Sequence, residues 1–250
     1  MKKSNGTFKL IGKYLIGIIV FIGIITFISR VGKREGFESG QGQGIPKIII
    51  QTSKNKPPQK VINNFKKVLS PGWIYKHFDD NEIIDFFKNN PIDEFPDVIE
   101  KFNSFKSGAH KADLFRYYYI YKNGGVFVDS DAVLEKMTDD VVGNYDFFSV
   151  NSLVTPNSIF QGFIGAVPRN EIIYKALKDI YEIDPKILEK RYFTIVENLY
   201  KIVNENKYNF KIKLFEEKRP NKDPVAITYD PDTGDVVLKH YFSSKDVPSL

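Results

Sequence analysis

Two aspartates separated by one small residue follow directly after a short apolar run at 126–128. They are Asp129 and Asp131, with Ser130 between them. Carboxylate oxygens at positions i and i+2 of a tight turn can face one hard divalent cation, such as Mg²⁺ or Mn²⁺. A cation held there would neutralise the charge that develops on a diphosphate leaving group. The alternative is a solvated loop whose two acids cap the next helix, and the tripeptide alone leaves both interpretations open.

A second pair of charged residues lies upstream, on a helix predicted over 108–123. Asp113 and Arg116 are spaced i and i+3, so they share one helical face. Gly124 and Gly125 end that helix because glycine tolerates positive φ, and they return the chain toward the two aspartates. Asp113 can then accept hydrogen bonds from sugar hydroxyls, and Arg116 can donate to sugar or phosphate oxygens. An intrahelical salt bridge of little energetic value is the alternative.

The elements around these residues alternate between strand and helix patterns. Strands are predicted at 45–51, 73–78 and 126–128, and helices at 61–69, 82–88, 96–102, 172–181 and 192–203. A turn at 230–234 is expected to join two further strands. This alternation predicts a three-layer α/β domain with a mostly parallel central sheet. Ligands of such sheets collect beyond the carboxyl ends of the strands, where Asp129 and Asp131 stand.

An apolar stretch of 19 residues at 10–28, with Lys13 as its single charge, predicts a transmembrane helix. No small-residue cleavage site follows, which favours an uncleaved anchor over a signal peptide. Four lysines, with Lys13 as the last, precede the uninterrupted apolar core at 14–28, and three basic residues follow it, a slight bias toward a cytoplasmic N-terminus. The predicted organisation is a tail at 1–9, an anchor at 10–29, a flexible linker at 30–44 and a catalytic domain at 45–250.

Composition excludes several classes of site and partner. The chain has no cysteine, which rules out disulfides, thiolate metal sites and cysteine nucleophiles. The net charge of +5 arises from 36 basic and 31 acidic residues without a long basic tract, so nucleic acid is not expected as a partner.

The run ADLFRYYYIYKNGGVFVDSDA at 112–132 resembles the core signature of glycosyltransferases that carry a DXD sugar-binding motif. That family includes initiating mannosyltransferase-like enzymes of yeast (the family 32 type) and, more distantly, the clostridial glucosylating toxins. The segments IPKIIIQTSK at 45–54 and WIYKHFDD at 73–80 are similar to its first two strands. Ile50 stands where the family commonly has a histidine, which is a departure from the pattern.

The resemblance implies a GT-A fold, a UDP- or GDP-sugar donor and retention of anomeric configuration. It implies that Asp131 ligates Mn²⁺ or Mg²⁺ directly, and that Asp129 contacts the donor and reaches the metal. Asp113 and Arg116 would hold the transferred sugar.

Further site residues follow from the same resemblance. Gln51 and Thr52 lie where the nucleoside would pack, and His240 belongs to a late histidine-aromatic element that would complete the metal site. Strand and loop at 149–166 are expected on the acceptor side, with Asn157 or Gln161 near the sugar.

The predicted function is metal-dependent transfer of a hexose-type sugar from a nucleotide-sugar to a glycan or other hydroxyl acceptor. The protein is expected to be a single-pass type II membrane protein with a lumenal catalytic domain, as in the Golgi or ER if it is eukaryotic or viral. Two alternatives stay open. One is a haloacid-dehalogenase-like phosphatase with Asp129 as its nucleophile, and the other is a membrane-tethered carbohydrate-binding protein without catalytic activity.

Overall fold

The computed structural model describes residues 44–220 and 224–248. The predicted tail and anchor, and the predicted linker up to residue 43, lie outside the described residues. Within the described ranges, no helix combines the length and apolar character needed to cross a membrane.

Nine strands of the described residues form one sheet. They are β1 (Ile48–Thr52), β2 (Ile74–Phe78), β3 (Gly125–Val128), β4 (Ala132–Leu134), β5 (Phe147–Ser152), β6 (Ser158–Ala166), β7 (Ile212–Lys218), β8 (Ala226–Tyr229) and β9 (Val236–His240). Their order across the sheet is β2-β1-β3-β6-β5-β7-β8-β9-β4.

Eight helices of the same described segments accompany this sheet. They are α1 (Gln59–Val68), α2 (Asp80–Asn89), α3 (Val98–Ser104), α4 (Gly108–Asn123), α5 (Thr138–Val142), α6 (Glu171–Glu182), α7 (Pro185–Lys190) and α8 (Thr194–Asn206). The predicted helices are confirmed in type, with ends shifted by a few residues, whereas α5 and α7 were not predicted.

The sheet is mixed, so the prediction of a mostly parallel sheet is wrong. Three neighbouring pairs are parallel, namely β1–β2, β1–β3 and β5–β7. The other five pairs are antiparallel. The reason lies in the connections: β5 and β6, like β8 and β9, are joined by short turns, and a parallel pair needs a long crossover.

Apolar side chains cover both faces of the sheet. Ile48 and Ile50 of β1 pack into one hydrophobic cluster with α2, α3, α4, α6 and α8. Ile49, between them, packs into a second cluster that includes residues of α1 and α5. Successive strand residues point to opposite faces, so β1 is buried from both sides. The fold is therefore a mixed α/β arrangement in layers, while its assignment to the GT-A type stays a prediction.

The connection between α4 and β3 depends on two glycines in the left-handed region. Gly124 has φ +68° and Gly125 has φ +112°. A Cβ on Gly125 would lie 2.6 Å from Ile48 Cγ2 and 3.2 Å from the Ile48 carbonyl oxygen. This close approach lets β3 enter the sheet beside β1 directly after the helix ends, with Val126 paired to Ile49.

We predict that Gly125→Ala lowers the free energy of unfolding by about 2–4 kcal/mol, because the new Cβ combines an unfavourable φ with a steric clash. Urea denaturation of the variant and of wild type measures this loss. Gly108→Ala is the matched control, since no atom lies within 4 Å of a Cβ at that helix-starting position. Equal stability of the Gly125→Ala protein and wild type would contradict the argument.

Candidate active site

A cavity of about 850 Å³ opens beside the turn that joins β3 and β4. Its wall includes the whole Asp129–Asp131 turn, the first half of α4, part of β6 and the end of β9. The predicted charged residues therefore surround one open space. The wall also contains polar side chains and apolar rings, a combination typical of ligand sites.

Asp129, Asp131 and His240 lie close enough together to bind one metal ion. One potential ligand atom from each residue falls within 4.8 Å of the corresponding atoms of the other two. Antiparallel pairing of β4 with β9 places Ala132 opposite His240, which explains how residues far apart in sequence meet. The Tyr241 amide also donates a hydrogen bond of 2.9 Å to the Asp131 carbonyl oxygen.

Backbone contacts fix the first aspartate of the turn. The Asp129 amide donates to the Gly162 carbonyl oxygen at 2.7 Å, and the Ala132 amide donates to the Asp129 carbonyl oxygen at 3.1 Å. Gly162 is needed here because a Cβ at that position would overlap the Asp129 carboxylate. The turn is therefore held against β6 before any ligand arrives.

His240 stands between two carboxylates. Its Nε2 lies 3.4 Å from Asp131 Oδ1, and its Nδ1 lies 3.9 Å from Glu217 Oε1. The second distance is too long for a hydrogen bond, and this buried Nδ1 has no hydrogen-bond partner. Burial disfavours the imidazolium, but the carboxylates of Asp131 and Glu217 outweigh it and raise the pKa of His240 to about 9. The ring also stacks on Phe160, with centroids 4.8 Å apart.

Arg116 joins α4 to the aspartate turn. Its Nη2 lies 3.3 Å from Asp113 Oδ1 and 3.3 Å from Asp129 Oδ1, and its Nη1 donates to the Gln161 carbonyl oxygen at 2.6 Å. The guanidinium also lies over the Phe127 ring at 4.0 Å. The intrahelical pair with Asp113 is thus present, and the contact with Asp129 places Arg116 beside the aspartate turn, while its binding of sugar or phosphate stays a prediction.

Asp113 is buried at the base of the cavity. Gln161 Nε2 donates to its Oδ1 at 2.6 Å, and the Tyr117 hydroxyl donates to Gln161 Oε1. Burial raises the pKa of Asp113 to about 6, although the neighbouring Arg116 opposes that rise. Burial likewise raises the pKa of Asp129, again against the influence of Arg116. The site therefore holds two carboxylates in an environment that disfavours their charge.

The remaining predicted site residues occupy different positions. Thr52 and Gln161 line the cavity. Gln51 is buried behind it, where its Nε2 donates to the Asp129 carbonyl oxygen at 2.9 Å and its Oε1 accepts from the Tyr75 hydroxyl at 2.7 Å. Asn157 is exposed in the β5–β6 turn and is not among the cavity-lining residues.

Several residues of the site were missed by the sequence analysis. Glu217 lies in the alternating strand β7, and an acid at such a position is usually read as solvent-facing. Phe160, Tyr192 and Phe193 line the cavity, but an aromatic residue in a strand or near a helix resembles a core residue. Gly162 could have been recognised from the sequence, because a glycine inside a strand often marks a place where another group approaches the backbone closely.

Residues 49–148 match the family described as "Glycosyltransferase sugar-binding region containing DXD motif". This part of the chain is therefore similar to glycosyltransferase regions of the DXD type. The resemblance predicted from the sequence is confirmed, and the segment contains the aspartate turn, Asp113 and Arg116.

The relatives of this chain include two mannosyl phosphorylinositol ceramide synthases of yeast. Mannosyl phosphorylinositol ceramide synthase SUR1 of Saccharomyces cerevisiae is 30% identical over 145 residues, which are 57% of this chain and 36% of the relative. The CSH1 synthase of the same organism is 28% identical over 152 residues, or 60% and 39%. The chain therefore spans less than half the length of these relatives. Among solved structures, PaToxG Glycosyltransferase superposes with a TM-score of 0.45 and 13% identity, covering 67% of this chain and 76% of that structure.

The raised pKa of Asp113 generates a prediction about pH. Because its pKa is 3.8 in an unfolded chain and about 6 in the fold, the folded state binds the proton more tightly. Asp113 therefore makes the free energy of unfolding fall as pH rises from about 4 to about 6, by on the order of 3 kcal/mol.

The measurement is urea denaturation of wild type and Asp113→Asn at pH 4 and pH 7, with chelator present. Asparagine keeps the acceptor for Gln161 but cannot ionise, so the variant should gain stability relative to wild type at the higher pH. A difference that stays constant across this range would show that Asp113 ionises normally.

Proposed function

We propose that this protein is a metal-dependent glycosyltransferase that moves a hexose from a nucleotide-sugar donor to a glycan or glycoconjugate hydroxyl. The observation that carries the proposal is the convergence of Asp129, Asp131 and His240 at one edge of the cavity. Asp129 and Asp131 lie within the residues that match the DXD glycosyltransferase family, and His240 joins them from the C-terminal part of the fold.

The donor atoms fit a divalent cation. Two carboxylates and one imidazole nitrogen within 4.8 Å of one another offer a mixed oxygen and nitrogen set. Carboxylates suit Mg²⁺ and Mn²⁺, and the histidine favours Mn²⁺ of the two. Asp129, Asp131 and His240 would hold the ion, which supplies charge neutralisation to a diphosphate leaving group.

The protein's own residues provide positioning. Arg116 is fixed by Asp113, Asp129 and the Gln161 carbonyl, so its guanidinium keeps the aspartate turn in one arrangement. A preorganised cation of this kind stabilises developing negative charge without reorganising during the reaction. Gln161 links Asp113 to Tyr117, which limits the rotamers that these side chains can adopt.

Different observations support the proposed donor, stereochemistry and membrane attachment. The names of the yeast relatives refer to mannosyl transfer, so a mannose-carrying donor is the first to test. Retention of configuration rests on the family resemblance. Attachment to a membrane through residues 10–29, with the catalytic domain on the lumenal side, rests on the apolar stretch and its flanking charges.

The two alternative functions are less well supported. A phosphatase would use Asp129 as a nucleophile, but this carboxylate is engaged by Arg116 and belongs to a DXD glycosyltransferase region. A carbohydrate-binding protein without catalysis would not need three convergent metal-ligand side chains. Metal-dependent release of a nucleotide from a sugar donor separates transfer from both alternatives.

We predict that Asp131→Asn lowers nucleotide release at least about 100-fold, because it removes a charged metal ligand beside the leaving group. The full chain is assayed with a panel of UDP- and GDP-sugars, with Mn²⁺ and with chelator. Asp85→Asn, which changes an exposed acid on α2, is the control and should match wild type. Full activity of the Asp131→Asn protein would overturn the metal site.

A separate prediction concerns the residue behind His240. Glu217 is buried, accepts a 2.7 Å hydrogen bond from Ser152 Oγ and faces His240 Nδ1. With a metal bound, the charge of this carboxylate, 3.9 Å from Nδ1, would favour the remaining imidazole proton on Nδ1 and leave Nε2 as the metal ligand. Glu217→Gln should therefore weaken Mn²⁺ binding by about tenfold.

Titration of free Mn²⁺ by electron paramagnetic resonance measures this affinity without depending on turnover. Glu216→Gln is the matched control, because neighbouring strand residues point to opposite faces. Unchanged Mn²⁺ affinity in the Glu217→Gln protein would exclude the positioning role.

A further inference from the structure

Two aromatic side chains stand half-exposed on the wall of the cavity. Tyr192 and Phe193 lie in the connection between α7 and α8, and each is 52% exposed. Their ring centroids are 5.3 Å apart and the ring planes meet at 89°. The pair therefore presents two perpendicular apolar surfaces to the open space.

The backbone that carries these rings is held in place. Thr194 Oγ1 donates to the Arg191 carbonyl oxygen at 2.7 Å, and the Glu197 amide donates to the Phe193 carbonyl oxygen at 3.1 Å. The Tyr192 ring packs against the buried His110 ring, with centroids 5.0 Å apart. Exposed rings on an ordered support lose little conformational freedom when they bind a ligand.

The aromatic pair adjoins the end of the cavity that holds Asp113. His110 lies in the first turn of α4, and Asp113 follows one turn later on the same helix. Burial, and after it the negative charge of Asp113, raises the pKa of the Tyr192 phenol, so the two side chains are within electrostatic range. This wall is formed by helices, separate from the strand ends that carry the metal ligands.

Other exposed apolar side chains line the same cavity. Val154 is 41% exposed and Phe242 is 47% exposed. Lys106 and Lys111 line the cavity as well, so its wall combines apolar surface with charged groups. Aromatic surface beside hydrogen-bonding groups suits a ligand that has an apolar face and polar edges.

We infer that Tyr192 and Phe193 form an acceptor subsite that binds a pyranose ring of the acceptor. A pyranose presents C–H bonds on its faces, which pack against aromatic rings, and hydroxyls at its edge, which the polar groups of the cavity can bind. Half-exposed rings suit the acceptor better than the donor, because a glycan or glycoconjugate must extend out of the cavity. The inference rests on the proposed function, since it takes the second substrate to be a carbohydrate.

The test uses the full chain and two simple probes, methyl α-D-mannopyranoside and methyl α-D-glucopyranoside. Saturation-transfer NMR measures their binding in the presence of Mn²⁺ and a nucleoside diphosphate. We expect Tyr192→Ala and Phe193→Ala each to weaken binding about fivefold to tenfold. Tyr192→Phe keeps the ring and should retain most of the affinity. Tyr208→Ala removes an exposed tyrosine that does not line the cavity and should change nothing.

Two outcomes overturn the acceptor subsite. One is that neither glycoside binds the wild-type protein, and the other is that both bind Tyr192→Ala as tightly as wild type. Mn²⁺-dependent nucleotide binding, measured on the same samples, tests the proposed function separately. Its absence in wild type would refute the donor chemistry, whereas its presence in every variant together with selective loss of glycoside binding would support the subsite.

Discussion

A buried guanidinium holds the candidate site together. Arg116 bridges Asp113 on its own helix, Asp129 on the following turn and the backbone of β6. Removing charges from water is costly unless each has a partner, so a buried cation between two carboxylates restricts all three to one arrangement. Gly124 and Gly125 bring the end of α4 close to β1. This packing allows Arg116 to reach Asp129. The candidate metal ligands and the candidate sugar-binding groups thus depend on the packing of one helix against one turn.

The second constraint is the antiparallel pairing of β4 with β9. It places the strand that follows Asp131 beside the strand that ends at His240, so that β4 forms one edge of the sheet. Glu217 on β7 approaches the same histidine from behind. The C-terminal part of the fold therefore supplies His240, one of the three candidate metal ligands, and its neighbour Glu217, although the family match ends at residue 148. The site needs both halves of the described fold.

Charged and apolar side chains line different parts of the cavity. Asp129, Asp131, His240 and Arg116 concentrate charge at the strand ends, where a diphosphate and its cation would be neutralised. Tyr192 and its neighbours offer apolar surface at the helical wall. A transferase needs both environments in one cavity. The acceptor hydroxyl must come within bonding distance of the donor sugar while the leaving group is stabilised.

Local sequence determined most of the helices and the pairs of charged residues that face the cavity. These features follow one another closely in the chain: Asp113 and Arg116 at helical spacing, then the two glycines, then the apolar run before Asp129. Their geometry therefore follows from local backbone rules. Only the tertiary structure decided the sheet directions, the placement of Gln51 behind the site and the positions of Glu217 and Tyr192 beside it. Strand pairing and burial depend on segments far apart in sequence, and a pattern within one segment carries no information about which distant segment will cover it.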